Sequence, residues 1–251
     1  MYWLYSYGGD LYKMKYPKIL VGCPIWNGKD YIIERYVNRL KELDYPNYDI
    51  LLVDNTRGTK YLERIKKLKV NCVKAKWSPI AKQRIVNSRN VLRDYTLKNN
   101  YDYYFSVEED VIPPRHILKE LVKHNKKVVG GWYFITKNPG GMDAHGKFKQ
   151  PCVSREWTMI NMKFGFDFCP LDIHMAKNRL MKTYLASMGV LLIHRSVLEK
   201  VKFRLIPEIP HADDTWFFYD LDKKGIEVFV DTDLLVPHFQ SSFPKRNVFK
   251  I

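Results

Sequence analysis

Three consecutive acidic residues at the end of an apolar run are the part of this sequence best suited to chemistry. The segment YYFSVEEDV, from Tyr103 to Val111, has the composition of a buried strand that ends in Glu108, Glu109 and Asp110. Carboxylate oxygens bind hard divalent cations, and open α/β sheets bind ligands at the carboxyl ends of their strands. The segment therefore predicts a cation site, with an exposed acidic turn as the structural alternative.

Two earlier apolar runs end in a comparable way. The run from Lys18 to Cys23 is stopped by Pro24, and the run DILLV at 49–53 is followed by Asp54. Nearly continuous apolar character is typical of parallel strands that are covered on both faces. Because parallel strands share one carboxyl edge, we expect Pro24, Asp54 and Asp110 to lie along it.

Helical periodicity separates these strands. Apolar residues recur at helical spacing from Asp30 to Leu43, and Ser78 with Pro79 marks the start of a second helix, which continues to Asn99. Strand, helix, strand, helix, strand is the order of a parallel sheet built by right-handed crossovers. The sequence therefore predicts an α/β fold, with a Rossmann-like first half and a mostly parallel central sheet.

The second half has a mixed pattern. The stretch from Asn138 to Thr183 shows no clear period, which predicts a functional loop or lid that contacts an acceptor. Around it we predict strands at Val128 to Ile135, Ser187 to His194 and Ile226 to Val230, and helices at Arg195 to Val201 and Asp213 to Lys224.

Composition narrows the class of protein. At 251 residues the chain is long enough for one large domain, and 42 Lys plus Arg against 27 Asp plus Glu give a formal charge of +15. This charge favours anionic partners: nucleotide diphosphates, phospholipid surfaces or nucleic acid. The four cysteines form no CxxC pair and no signal peptide is recognised, so we expect a cytoplasmic setting. No run of about 18 apolar residues predicts a membrane span, although contact with an anionic membrane surface stays open.

The chain resembles the GT-A glycosyltransferases, most closely those of the family 2 type. The resemblance implies a single GT-A domain, with a nucleotide-sugar-binding half at about 17–112, an acceptor-binding half at about 113–240 and a C-terminal tail at 241–251. It is weakest between 138 and 183. The matching segments, in family order, are KILVGCPIWNG at 18–28, ILLVDNT at 50–56, SRN at 88–90, YYFSVEEDVIPP at 103–114, MGVLLIHRSVLEKV at 188–201, ADDTWFFYDLDKKGIEVFVDTD at 212–233, and His238.

The resemblance implies a set of donor-binding residues. Pro24 and Trp26 would touch the nucleotide base, and Asp54 would bind the base or the ribose. The residues alone leave Trp26 equally well explained as a core aromatic and Asp54 as a turn carboxylate. Arg84 and Arg89 lie on the helix that faces the diphosphate in the family, where guanidinium groups suit phosphate, although they could equally form a solvated basic face.

The resemblance also implies a metal site. The family signature Asp-x-Asp is matched by Glu108, Glu109 and Asp110, and it departs from the family in the first acid. Asp110 is the expected ligand. Glu108 would either bind the ion or contact the ribose or a metal-bound water. Glu109 would contact the nucleotide sugar. His238 would be a further ligand, with a simple hydrogen-bonded histidine as the alternative. The ion would be Mn²⁺ or Mg²⁺, bound with a UDP- or GDP-sugar.

Asp213 and Asp214 open a predicted helix, where the macrodipole stabilises carboxylates, so a helix cap already explains them. The resemblance implies instead that Asp214, next to Asp213, is the catalytic base that accepts the proton of the acceptor hydroxyl. A carboxylate with a lowered pKa is a weak base. Asp214 would therefore have to be partly buried, against Trp216 or the 138–183 stretch.

Together these residues predict a metal-dependent, inverting glycosyltransferase that moves one sugar to a hydroxyl of a glycan, lipid or protein acceptor. The chain lacks the QxxRW element of processive synthases, the GxGxRM loop of sugar nucleotidyltransferases, and GxGxxG or GKS/GKT phosphate loops. A retaining enzyme, in which Asp214 only positions a substrate, is the first alternative. A non-catalytic protein that binds nucleic acid or a membrane surface through its charge is the second; the transferase itself is not expected to bind nucleic acid.

Overall fold

A central β-sheet organises the molecule. The computed structural model describes residues 3–7, 10–14, 16–137, 148–151, 154–161, 165–170, 180–206 and 212–239, with side chains at 16–133, 180–206 and 212–239. In the first half, the strands are β1 (Trp3–Tyr7), β2 (Asp10–Met14), β3 (Ile19–Gly22), β4 (Pro24–Ile25), β5 (Tyr48–Asp54), β6 (Asn71–Lys74) and β7 (Tyr103–Val107). The helices of this half are α1 (Ile33–Lys41), α2 (Lys60–Lys67) and α3 (Ala81–Lys98).

The second half adds shorter elements. Its helices are α4 (Ile117–Lys123), α5 (Arg195–Leu198) and α6 (Asp213–Lys223). Its strands are β8 (Val128–Trp132), β9 (Phe134–Lys137), β10 (Phe148–Pro151), β11 (Ser154–Asn161), β12 (Gly165–Pro170), β13 (Leu180–Thr183), β14 (Val190–His194) and β15 (Val228–Leu235).

The sheet crosses both halves of the chain without interruption. Within the described ranges its order is β13-β15-β8-β14-β7-β3-β5-β4, and β6 also pairs with β5. Strands β3, β5 and β7 are mutually parallel, and β14 runs antiparallel to both β7 and β8. The carboxyl ends of β3, β5 and β7 therefore lie at one edge, as the sequence predicted.

The helix that follows the first loop is fixed by its apolar stripe. On α1, Ile33, Tyr36, Val37 and Leu40 recur at helical spacing and are buried. The Tyr36 hydroxyl donates a hydrogen bond of 2.6 Å to the carbonyl oxygen of Val107, at the last residue of β7. This contact joins α1 to the strand immediately before the acidic cluster.

The stretch at 138–183 differs from the prediction of an irregular loop. Strands β10, β11, β12 and β13 lie inside it, while the remaining residues of 138–179 are outside the described ranges. Strand β10 pairs with β9, and β11 with β12, each as a two-stranded antiparallel pair outside the large sheet. Such local pairs do not impose the buried apolar pattern of a central strand, which explains why periodicity did not reveal them.

The end of the described chain returns to the acidic strand end. After β15, an isolated antiparallel bridge joins Val111 to His238, and the backbone N–H of Phe239 donates a hydrogen bond of 2.7 Å to the carbonyl oxygen of Asp110. Backbone pairing thus carries His238 to the acidic cluster from 128 residues further along the chain.

Among the helices of the described residues, none is both long and apolar enough to cross a bilayer.

Candidate active site

The acidic cluster after β7 contains a buried carboxylate between two basic side chains. One carboxylate oxygen of Asp110, Oδ2, lies 2.6 Å from the Lys29 ammonium and 3.2 Å from His238 Nε2. Burial alone would raise the pKa of Asp110, but the His238 hydrogen bond and the Lys29 charge outweigh it and hold this pKa below its usual value. Asp110 is therefore an ionised carboxylate at neutral pH.

The surroundings of Asp110 fit a divalent cation held by few protein ligands. The second oxygen of Asp110, Oδ1, is buried and has no hydrogen-bond partner among the described residues. Two ligand atoms at right angles, each about 2.1 Å from an ion, are about 3 Å apart, which matches the 3.2 Å between Asp110 and His238. No group of three or more His, Cys, Asp or Glu side chains in the described ranges is arranged to hold an ion by itself. Mg²⁺ and Mn²⁺ sites of this kind take their other ligands from phosphate oxygens and water.

Arg89 joins the acidic cluster to the start of α6. Its guanidinium group is buried and lies 2.6 Å from Asp213 Oδ2, as an ion pair that lacks hydrogen-bond geometry, and 3.1 Å from Glu108 Oε1. It also donates to the hydroxyl of Ser106, inside β7, at 3.2 Å. Two acidic motifs that are more than 100 residues apart in sequence therefore contact the same buried guanidinium group.

The position of Asp214 gives its carboxyl the properties of a base. The side chain keeps some exposure to solvent, but the carboxyl group lies among packed protein groups. Burial, followed by the adjacent Asp213, raises the pKa of Asp214 to about 6, against the opposing charge of Arg89 and a hydrogen bond from the Thr215 backbone N–H. The group is thus mostly ionised at neutral pH and still basic enough to accept a proton.

Glu109 contacts the first loop, at residues 26–32 between β4 and α1. Its carboxyl is buried and accepts a hydrogen bond of 3.3 Å from the backbone N–H of Trp26. Burial raises the pKa of Glu109 well above its usual value, although Lys29 and the Trp26 N–H oppose the shift. The Trp26 side chain itself is 46% exposed and passes over Gly28, where a Cβ atom would overlap its ring. An exposed aromatic ring held on a rigid turn is suited to stacking on a flat ligand.

Asp54 is fully buried at the end of β5, and both of its oxygens are engaged. Oδ2 lies 2.6 Å from the Lys74 ammonium, and Oδ1 accepts a 2.7 Å hydrogen bond from the backbone N–H of Thr56. The Thr56 hydroxyl in turn accepts a 3.1 Å hydrogen bond from the backbone N–H of Asn27, in the first loop. Asp54 therefore orders the backbone beside Trp26, while no hydrogen bond or ion pair among the described residues joins it directly to Asp110.

The two predicted phosphate-binding arginines have other partners in the structure. Arg84 donates from Nη1 to the carbonyl oxygens of Ser78 and Pro79, at 2.9 and 3.2 Å, and so fixes the turn that precedes α3. Arg89 is buried between acids, as described above. Pro24, the remaining predicted residue, lies in β4 and pairs in register with Val53 of β5.

Tyr133 connects the remaining parts of the site. Its hydroxyl donates to Glu108 Oε2 at 3.3 Å and also hydrogen-bonds the Ser187 hydroxyl, while its ring packs against His238 with centroids 4.7 Å apart. Gly189 makes room for this ring, because a Cβ atom there would overlap the Tyr133 hydroxyl. Tyr133 therefore positions one predicted metal ligand and one predicted donor-binding acid together.

Sequence reasoning did not single out Lys29, Lys74 or Tyr133. Nothing in the local pattern separates Lys29 and Lys74 from the other members of a set of 42 Lys and Arg residues. Tyr133 belongs to an apolar, aromatic run in which any residue could face the core. Each of these residues is distinguished only by the residue that it contacts in the folded protein, and a single sequence does not reveal that contact.

Comparison with known proteins identifies the fold. No protein-family profile matches the sequence, and no curated protein matches it. Among solved structures, A197 from STIV matches with a TM-score of 0.50 and 16% identity, over 89% of this chain and 86% of that one. The mannosyltransferase PcManGT from Pyrobaculum calidifontis, solved in complex with GDP-Man and Mn²⁺, matches with a TM-score of 0.58 and 15% identity, over 91% and 59%. TarS from S. aureus gives a TM-score of 0.52 and 16% identity, over 87% and 36%.

These comparisons establish a GT-A-like fold, with a largely parallel central sheet, as the sequence predicted. At such identities they establish the fold alone. The chain spans less than two thirds of the length of PcManGT and of TarS.

Proposed function

We propose that this protein is a metal-dependent glycosyltransferase that moves one sugar from a nucleoside-diphosphate sugar to an acceptor hydroxyl, with inversion at the anomeric carbon. The observation that carries the proposal is the buried Arg89 bridge. It brings the Asp214 carboxyl, whose pKa is raised to about 6, near the acidic strand end that holds Asp110, and this supports a role for Asp214 as the base. A cation site and a general base at one edge of a GT-A-like sheet are the two groups that direct sugar transfer requires.

The donor would lie across the carboxyl ends of β3, β5 and β7. Trp26 would offer its exposed ring to the nucleotide base, beside the ion pair of Asp54 and Lys74. Residues 17–112 would thus bind the donor, and residues 113–240 would supply Asp214, His238 and the acceptor contacts. PcManGT was solved with GDP-Man and Mn²⁺, so GDP-mannose is the first donor to test, followed by UDP-sugars.

Asp110 and His238 would hold the cation. When bound, it would neutralise negative charge on the departing diphosphate. Both residues would be preorganised for this role, because backbone pairing of 110–111 with 238–239 fixes their separation and the Tyr133 ring packs against His238. Preorganised ligands need little reorganisation when the ion binds.

Asp214 would carry the proton in the chemical step. The acceptor oxygen forms a bond to the anomeric carbon while the bond from that carbon to the diphosphate oxygen breaks, and its electron pair leaves with the diphosphate. The hydroxyl proton passes to the Asp214 carboxylate. Arg89 neutralises Asp213, and its charge keeps the pKa of Asp214 from rising further, so the base stays ionised at neutral pH.

A thermal-unfolding screen with UDP- and GDP-sugars, with and without Mn²⁺, tests the proposal. A ligand present at 100 times its Kd stabilises the native state by about 2.7 kcal/mol, which is a shift of several degrees for a chain of this size. We expect a shift that needs Mn²⁺ for one nucleotide class and disappears in Asp110→Asn. No shift with any donor, at concentrations up to the millimolar range, would remove the basis of the proposal.

The stereochemistry needs its own measurement. Proton NMR of the product formed from a donor of known anomeric configuration gives the outcome directly. Inversion supports the role of Asp214 as the base. Retention would reassign Asp214 to substrate positioning, even if the protein proves to be a transferase.

A further inference from the structure

Lys29 occupies a place that the proposed chemistry does not explain. Its ammonium lies 2.6 Å from Asp110 Oδ2, the same oxygen that His238 contacts. The Asp110 side chain is 4% exposed and that of Lys29 is 29% exposed. This basic side chain is therefore inserted from the solvent side onto the carboxylate that is the best cation ligand of the site.

A divalent cation and an ammonium ion cannot share one buried carboxylate oxygen without strong repulsion, because little water lies between them to screen their charges. Lys29 stands at the end of a short helical turn, Asn27–Lys29, and carries its charge on a flexible four-carbon stem. The ammonium can thus leave Asp110 without a change in the backbone. A diphosphate bound beside the ion would offer it new oxygen partners.

We propose that Lys29 and the divalent cation bind Asp110 alternately: the lysine holds the carboxylate in the free protein, and the donor diphosphate draws the lysine away as the ion enters. This inference rests on the proposed function and adds a regulatory property to the same site. Its consequence is that the cation binds weakly alone and tightly with a nucleoside diphosphate. The positive coupling is reciprocal, since each ligand raises the affinity for the other by the same factor.

Binding of Mn²⁺ to the full chain, followed by electron paramagnetic resonance of the free ion, tests this directly. Titrations are run without nucleotide, with UDP and with GDP, and nucleotide-only titrations correct for the ion that the nucleotide itself binds. The test variant is Lys29→Met, which keeps most of the stem and removes the charge. The matched control is Lys67→Met, at an exposed position at the end of α2.

Removal of the competing ammonium is expected to tighten Mn²⁺ binding in the absence of nucleotide by about 5- to 150-fold, the usual range of coupling between sites. The difference in Mn²⁺ affinity with and without nucleotide should shrink in the same variant. Lys67→Met should behave as the unchanged protein does. Lys29→Arg, which keeps a cation at this position, should stay close to the unchanged protein in the absence of nucleotide.

Equal or weaker Mn²⁺ binding by Lys29→Met in the absence of nucleotide would overturn the inference, provided that the unchanged protein binds Mn²⁺ with nucleotide. The proposed function would still stand in that case. If neither protein binds Mn²⁺ under any condition, the metal dependence itself fails, and the inference fails with it. A variant that binds Mn²⁺ while the unchanged protein does not, even with UDP or GDP, would also overturn alternation, because Lys29 would then exclude the ion permanently.

Discussion

Replacement of Asp214 by Asn separates the proposed catalytic role of this residue from its effect on stability. Asn has nearly the same shape and retains an oxygen that can accept the hydrogen bond from the Thr215 backbone N–H, which is 2.7 Å long. It cannot accept the acceptor proton. Loss of a positioned general base lowers kcat by about 10² to 10⁴. The KM for the donor should change little, because Asp214 would contact the acceptor side.

The same substitution should stabilise the protein at neutral pH. The folded state raises the pKa of Asp214 from 3.8 to about 6, so the protonated form is favoured by folding and the ionised form is disfavoured. The stabilising contribution of the bound proton is complete below pH 3.8 and is lost as the pH rises through 6. The full shift corresponds to at most about 3 kcal/mol. Since Asp213 and Arg89 share this electrostatic cluster, we expect a measured gain of about 1–3 kcal/mol at pH 7.5 for Asp214→Asn.

Thermal unfolding at two pH values measures this gain. At pH 7.5 the gain should raise Tm by about 2–12 °C. At pH 4.5 the gain in stability should be about a third as large, because the Asp214 carboxyl of the unchanged protein is then largely protonated. The control is Asp222→Asn, an exposed acid near the end of the same helix. The reasoning is refuted by an Asp214→Asn variant that is no more stable at pH 7.5, or one whose gain does not depend on pH.

Three further substitutions test other parts of the site. Asp110→Asn should lower Mn²⁺-dependent donor hydrolysis by about 100-fold or more, because several kcal/mol of charge stabilisation depend on the ion; unchanged hydrolysis would place the ion elsewhere. Trp26→Ala should weaken donor binding, measured by isothermal calorimetry, by about 1–3 kcal/mol through lost stacking. It should change the free energy of unfolding, measured in urea, by less than about 0.5 kcal/mol. Unchanged donor binding with a large loss of stability would show that Trp26 is a core residue. Gly189→Ala should destabilise the fold by about 1–3 kcal/mol, because its methyl group displaces the Tyr133 hydroxyl; an unchanged urea midpoint would show that this ring is free to move.

Much of the framework was predictable from local patterns. Nearly continuous apolar runs at 18–23, 49–53 and 103–107 predicted parallel strands, and the structure has β3, β5 and β7 there in parallel register. The predicted helix at 213–224 is observed as α6, followed by Gly225 with a φ of +63°. These elements are determined by short-range physics, in which apolar periodicity, proline and glycine act within a few residues.

Tertiary structure decided which charged groups meet. The sequence predicted that Asp110 and His238 would come together, but only the pairing of 110–111 with 238–239 sets their 3.2 Å separation. Arg89 was predicted to face a diphosphate or to belong to a solvated basic face; the fold buries it between Glu108 and Asp213, and its contact with a diphosphate stays a prediction. A guanidinium group pairs with the anions that packing brings next to it, and the sequence around the arginine does not show which anions these are.

From its sequence alone, this chain determines the parallel strands at 18–23, 49–53 and 103–107, the helices at 30–43 and 78–99 between them, and the acids at strand ends. These features follow from local periodicity and from the shared edge of parallel strands. Only the folded structure decides that Lys29 lies on Asp110 and that Asp214 has a pKa near 6. Both depend on burial and on charges contributed by distant segments, and electrostatic energies at a buried site are set by the complete three-dimensional arrangement around it.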